Sequence, residues 1–159
     1  MIQREAPFIG SIALLRQTAD DATEQWLASW DDVDDCFSFP FAERGDQPSY
    51  RTPLLSAVGE RFALDPSRDF LISGLSRAHF QAPIDWRGWQ SPQWVVVQFF
   101  SVDLYGRDAL PKIERQSQLR WVTPREVATQ RTQDGSPLSP IQCELIQRAH
   151  LIPVKDEVD

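Results

Sequence analysis

The chain has 159 residues, 42% of them hydrophobic, with six tryptophans and nine phenylalanines. That suffices for one domain with a proper core and is too aromatic for a disordered chain. A net charge of −7 argues against general nucleic-acid binding, which needs a basic face, but leaves room for a small anion held by local arginines.

No apolar run approaches the ~20 residues that span a bilayer. The opening MIQREAPFIG lacks the basic start, long apolar stretch and cleavage site of a secretion signal. A cytoplasmic protein without membrane contact is expected. Cys36 and Cys143 are the only cysteines, and His79 and His150 the only histidines, too few ligands for a structural zinc to be expected.

In chain order, IGSIALLR (Ile9 to Arg16) reads as a buried first strand, followed by the polar QTADDATEQ. WLASWDDVDDCFSFP then holds an acidic loop and a short strand ending at Pro40. Phe41 to Arg51 carries charges, Gly45 and Pro48, and reads as loop. A helix is expected at about 53–62, preceded by Thr52 as cap. Asp69 to Pro83 predicts two short strands broken near Gly74. Pro92 to Leu104, PQWVVVQFFSVDL, is the strongest strand, β-branched and aromatic, and apolar on both faces. SQLRWV, ending at Val122, is a further strand running into a helix at about 124–130, and a last helix follows at about 140–149.

Three sites share one helix-start signal. Thr52-Pro53, Thr123-Pro124 and Ser139-Pro140 each put a capping hydroxyl before a proline suited to the first helical position. Glu126 and Gln142 stand three residues after their caps and complete a capping-box pattern. Ile141, Leu145, Ile146 and Ala149 form one apolar helix face. The elements describe an α/β (α+β) chain: one domain over 1–159, a core over about 8–150, a charged tail at 153–159, and a mixed sheet with helices packed against it.

Several side chains invite a functional and a plain reading. Asp31, Asp32, Asp34 and Asp35 suggest calcium, but the spacing does not match an EF-hand loop, and a solvated loop is preferred. His79, beside Phe80 in an expected strand, reads as structural rather than as a base. Trp86 and Trp89, three apart in a Gly- and Pro-bounded loop, suit stacking on a nucleobase, a protein-binding patch, or a lid on the core. Arg77 and Arg87 suit phosphate beside such a platform, against the plain reading of surface arginines.

The order of elements, with FSFP ending at Pro40, ERQSQLRWVTPREV (Glu114 to Val127) and LSPIQCELIQRA (Leu138 to Ala149), resembles the Nudix hydrolase superfamily. The resemblance covers roughly residues 8–150. It implies a Nudix-like α/β/α sandwich with a mixed central sheet, and cleavage of nucleoside diphosphates linked to another moiety. It also implies Mg²⁺ or Mn²⁺ held by glutamates on one helix, in the motif G-x5-E-x7-R-E-U-x-E-E-x-G-U, U being a bulky aliphatic.

Counted without gaps from Pro40, the first glycine of that motif falls on Ala42 and the first glutamate on Pro48. The arginine and its neighbouring glutamate fall on Ser56 and Ala57, the glutamate pair on Glu60 and Arg61, and the last glycine on Ala63. Val58 and Leu64 keep the aliphatic positions, and Glu60 is the single acid kept. The box is strongly degenerate. One carboxylate with waters holds Mg²⁺ only weakly, and an adjacent arginine adds positive charge where the metal belongs.

Two functions follow as expectations. The first is a binding protein for a nucleotide- or diphosphate-containing ligand, with the Mg–glutamate site largely lost and Arg77, Trp86 and Trp89 contacting the ligand. The alternative is an active hydrolase using a rearranged carboxylate cluster. In that case ERGD (Glu43 to Asp46) is displaced, Glu43, Asp46, Glu60 and Glu114 hold Mg or Mn, and Glu60 is catalytic. A protein partner captured by the Trp-rich loop is a third, weaker reading.

Overall fold

The computed structural model describes residues 8–85 and 90–152. The long strand β1 (Phe8–Thr18) organises the sheet because different stretches of it pair with different partners. Its first part, Phe8 to Leu15, runs parallel to β7 (Gln93–Leu104). On its other edge, Gly10 to Ile12 pair antiparallel with β4 (Phe41–Glu43). Its last three residues leave that plane and pair antiparallel with β2 (Glu24–Asp31). A strand shared in this way curls the mixed sheet.

The remaining strands extend from these. β3 (Cys36–Ser38) and β8 (Leu119–Val122) pair antiparallel with β2. β5 (Phe70–Ile72) and β6 (Ala78–Ile84) pair antiparallel with successive stretches of β7. The expected break near Gly74 lies between these two. β7 is buried at Val95, Val96, Val97, Phe99 and Phe100, as a strand apolar on both faces must be when helices cover both.

Alternation along β1 sends Ile12 and Leu14 to one face and Ala13 and Leu15 to the other. The first face is covered by α3 (Pro124–Thr129) and α4 (Pro140–Arg148), through Val127, Cys143, Leu145 and Ile146. The second is covered by α1 (Thr52–Phe62), through Leu54, Val58 and Phe62, and by Ile113 of α2 (Ala109–Glu114). The result is the layered α/β/α arrangement expected of the sequence.

Four local expectations need correction. Phe41–Glu43 is a strand and not loop, because Gly10 lets it approach: a Cβ there would lie 2.2 Å from the Ala42 carbonyl oxygen. α2, with Pro111 inside it, was not expected at all. Thr52 does not cap α1; the N-cap is Arg51, in a helical conformation and without a side-chain cap bond. Gln142 does not close a capping box. Ser139 Oγ accepts from Gln142 N at 3.4 Å, but the Gln142 amide turns to Phe39, accepting from its N–H at 2.8 Å and donating to its carbonyl at 3.0 Å. The Thr123–Glu126 box forms in full. Among the described residues no helix is long and apolar enough to cross a membrane.

Candidate functional site

The site is built where α1 and α4 meet the curled edge of the sheet from opposite faces. α1 ends at Phe62, and the chain reverses through Ala63, whose positive φ of 52° lets Leu64 N donate back to the Gly59 carbonyl at 3.0 Å. Gly59 belongs to this reversal. A Cβ on it would stand 3.1 Å from the Leu64 carbonyl oxygen and 3.3 Å from Pro66 Cγ, so the returning chain packs against bare backbone.

The turn holds Arg61 against the sheet. Its Nε donates to Ser29 Oγ at 2.8 Å, and its Nη2 to Ser38 Oγ at 2.6 Å. The Ser29 and Ser38 carbonyls lie at 3.5 and 3.4 Å from Nη2. Ser29 and Ser38 are opposite each other in the β2–β3 register, so one guanidinium spans both strands. Arg61 has no carboxylate in ion-pair range among the described residues. Burial pulls its pKa below the usual value, with Asp31 and Cys36 opposing that shift. A position in the last turn also places its charge against the negative end of the helix dipole.

On the other face lies a cavity of about 200 Å³ between β1, β4, β7 and the start of α4. Its apolar walls include Phe8, Ile12, Phe41, Val95 and Leu145. Its polar groups are Asp31, Asp34, Ser38, Ser139 and Gln142. Ser38 is common to the two halves of the site, lining the cavity while its hydroxyl accepts from Arg61. Asp31 Oδ1 accepts from the Val33 and Asp34 N–H groups at 2.9 and 3.4 Å, which closes the acidic turn that carries both aspartates lining the cavity.

The acids of the rearranged cluster lie elsewhere. Glu43, Asp46, Glu60 and Glu114 are all exposed, and among the described residues no three His, Cys, Asp or Glu side chains gather as a metal site. Mg²⁺ needs near-octahedral oxygen ligation from several groups at once, and these four do not provide it as placed. The residues present do not fit the ion.

Arg77 is engaged locally. It donates to Glu24 at 2.6 and 3.3 Å, and its guanidinium carbon lies 5.8 Å from the Trp26 ring centroid. Glu24 also accepts from Trp26 Nε1 at 2.7 Å, so carboxylate, indole and guanidinium form one closed group. His79 is exposed and lies 3.4 Å from Gln81 Oε1. Trp86 and Trp89, with Arg87, lie outside the described residues.

Sequence reasoning missed the cavity residues. Phe8, Phe41, Asp31 and Gln142 come from four separate segments, and their convergence is set by register and by α4 packing. One signal was present: Gln142 is a polar residue amid the apolar positions of its helix, and it is buried at 6% exposure.

No protein-family model matches the sequence, and no curated protein matches it. Solved structures do resemble it. A Nudix hydrolase from M. smegmatis, RenU, aligns over 94% of this chain and 88% of its own length at 16% identity, with a TM-score of 0.56. NrtR from Shewanella oneidensis aligns over 91% of this chain and 62% of its own, at 16% identity and a TM-score of 0.58, so the chain spans under two thirds of that protein. NrtR has also been solved in complex with a 27mer DNA. The Ap4A hydrolase of C. elegans aligns over 91% and 98%, at 8% identity and a TM-score of 0.53. With a curled mixed sheet, helices on both faces and these structural neighbours, the chain has the Nudix fold.

Proposed function

We propose that this protein binds a nucleotide- or diphosphate-containing ligand at the α4-side cavity and does not cleave it by the metal–glutamate route. The observation that carries the reading is Arg61, which fills the second position of the expected glutamate pair and donates to the hydroxyls of Ser29 and of Ser38, the latter lining the cavity. A divalent ion both neutralises phosphate charge and activates water. A guanidinium supplies positive charge and N–H donors suited to phosphate, and it lowers no water pKa. Binding without hydrolysis is the chemistry that remains. In this reading Trp86 and Trp89, which lie outside the described residues, contact the ligand as the sequence leads one to expect, and their joint replacement by Ala weakens binding.

Isothermal titration with UDP-glucose, NAD and cyclic AMP, run with Mg²⁺ and again with EDTA, tests the proposal. Binding of at least one ligand, unchanged by EDTA and without product release, is expected. A folded sample that binds none of them overturns it. So does Mg²⁺- or Mn²⁺-dependent release of a nucleoside monophosphate that is lost in Glu60→Gln, which instead establishes the hydrolase reading.

A further inference from the structure

We propose that Asp31 and Asp34 make the α4-side cavity selective for a flat heterocycle presenting N–H donors, and that any phosphate of the ligand stays outside it. The inference rests on that cavity being the ligand site and specifies what enters it.

Size sets the first limit. At about 200 Å³ the cavity is smaller than the ~300–1,000 Å³ usual for whole drug-sized ligands, so it takes one ring system and not a dinucleotide. Phe8 and Phe41 come from adjacent strands, and Val95 lies directly opposite Phe8 in the sheet register. Walls of this kind favour a flat apolar body, with orientation left to a few polar groups.

An inventory of those polar groups decides the orientation. Gln142 has both amide atoms committed to the Phe39 backbone. Ser139 Oγ accepts from Gln142 N, and Ser38 Oγ accepts from Arg61. Asp31 uses Oδ1 on its own turn, while its Oδ2 and both Asp34 carboxylate oxygens accept no hydrogen bond among the described residues. The Ser38 and Ser139 hydroxyls each keep an O–H to donate, and the spare charged acceptors of the cavity are the Asp31 and Asp34 carboxylates. Ionised carboxylates bond strongly to N–H donors and repel phosphate oxygens. An amino-bearing ring, such as adenine with its exocyclic amine or guanine with its N1–H and amino edge, matches this arrangement.

Titration calorimetry with two nucleoside pairs isolates the amino group: adenosine against purine riboside, and guanosine against inosine. The parent protein should bind at least one amino-bearing member about tenfold more tightly than its partner. The joint variant Asp31→Asn, Asp34→Asn should lose that preference while keeping the parent circular dichroism spectrum. Asn retains the oxygen that accepts from Val33 N, and Asp34→Asn alone, at an exposed position, gives a second variant if the joint one does not fold. Equal affinities within both pairs, or a preference kept in the variants, overturn the inference. Binding of UDP-glucose or NAD with no nucleoside binding also overturns it while leaving the broader ligand-binding reading intact.

Discussion

Arg61 Nη2 stands 2.6 Å from Ser38 Oγ, joining the last turn of α1 to β3 across the edge of the sheet. Hydrogen bonds from a charged donor contribute about 1.5–3 kcal/mol. Arg61→Ala should therefore lower stability by roughly that amount in urea unfolding. Arg61→Lys should recover little of it, because one ammonium does not span Ser29 and Ser38 as the planar fork does. Recovery to parent stability in the Lys variant would show that charge alone matters at this position.

Gln142 reaches from α4 to both backbone groups of Phe39, 103 residues away in sequence. Replacement by Leu fills the volume and leaves a buried N–H and a buried carbonyl without partners. Each such group costs about 1–3 kcal/mol, so a loss of about 2 kcal/mol or more is expected. Gln142→Glu should also destabilise at neutral pH, since an ionised carboxylate cannot donate to the Phe39 carbonyl. Chemical denaturation of the two variants beside the parent measures both effects.

Asp69 is 2% exposed, and its Oδ2 accepts from Asp65 N at 2.7 Å and from Lys112 Nζ at 2.6 Å. The Asp65 N–H and the lysine hold its carboxyl below the usual value of 3.8. A carboxylate whose folded pKa is depressed contributes stability above its unfolded pKa and loses it as pH falls through the folded one. The contribution is thus complete at neutral pH and disappears on acidification below 3.8. Asp69→Asn should be less stable than the parent at pH 7, and the gap should close in acid. A gap that stays constant across that range would contradict the assignment.

Cys143 is fully buried in α4, and burial pushes its thiol up to about 12. Cys36 is also buried, and its pKa is raised by burial and by Asp34 and Asp31. Thiols react through the thiolate, so neither should be alkylated by iodoacetamide in the native protein near pH 8. Both should react once denaturant is added, and mass spectrometry of quenched samples reads the difference. Native-state labelling of Cys143 would show that α4 opens from the sheet on the timescale of the reaction.

The sequence by itself determined most of the framework. Apolar runs marked β1 and β7, Pro-led caps marked α3 and α4, and the β7 pattern required layers on both faces. These are local signals, carried by neighbours in the chain, and the structure reproduces them. The same reading located the expected metal helix and found Arg61 where an acid was expected. It did not reveal that Arg61 bonds to Ser29 and Ser38, nor that Gln142 deserts its own helix cap for Phe39. It read Phe41–Glu43 as loop because charge and turn residues dominate that stretch, whereas pairing with Gly10 makes it a strand. The cavity was likewise beyond local reading. Asp31 and Asp34 looked like a solvated acidic run until the β2–β3 turn carried them into the lining of a pocket walled by β1, β4, β7 and α4. Only tertiary structure decides such convergence, because it depends on strand register and helix docking, which no single segment encodes.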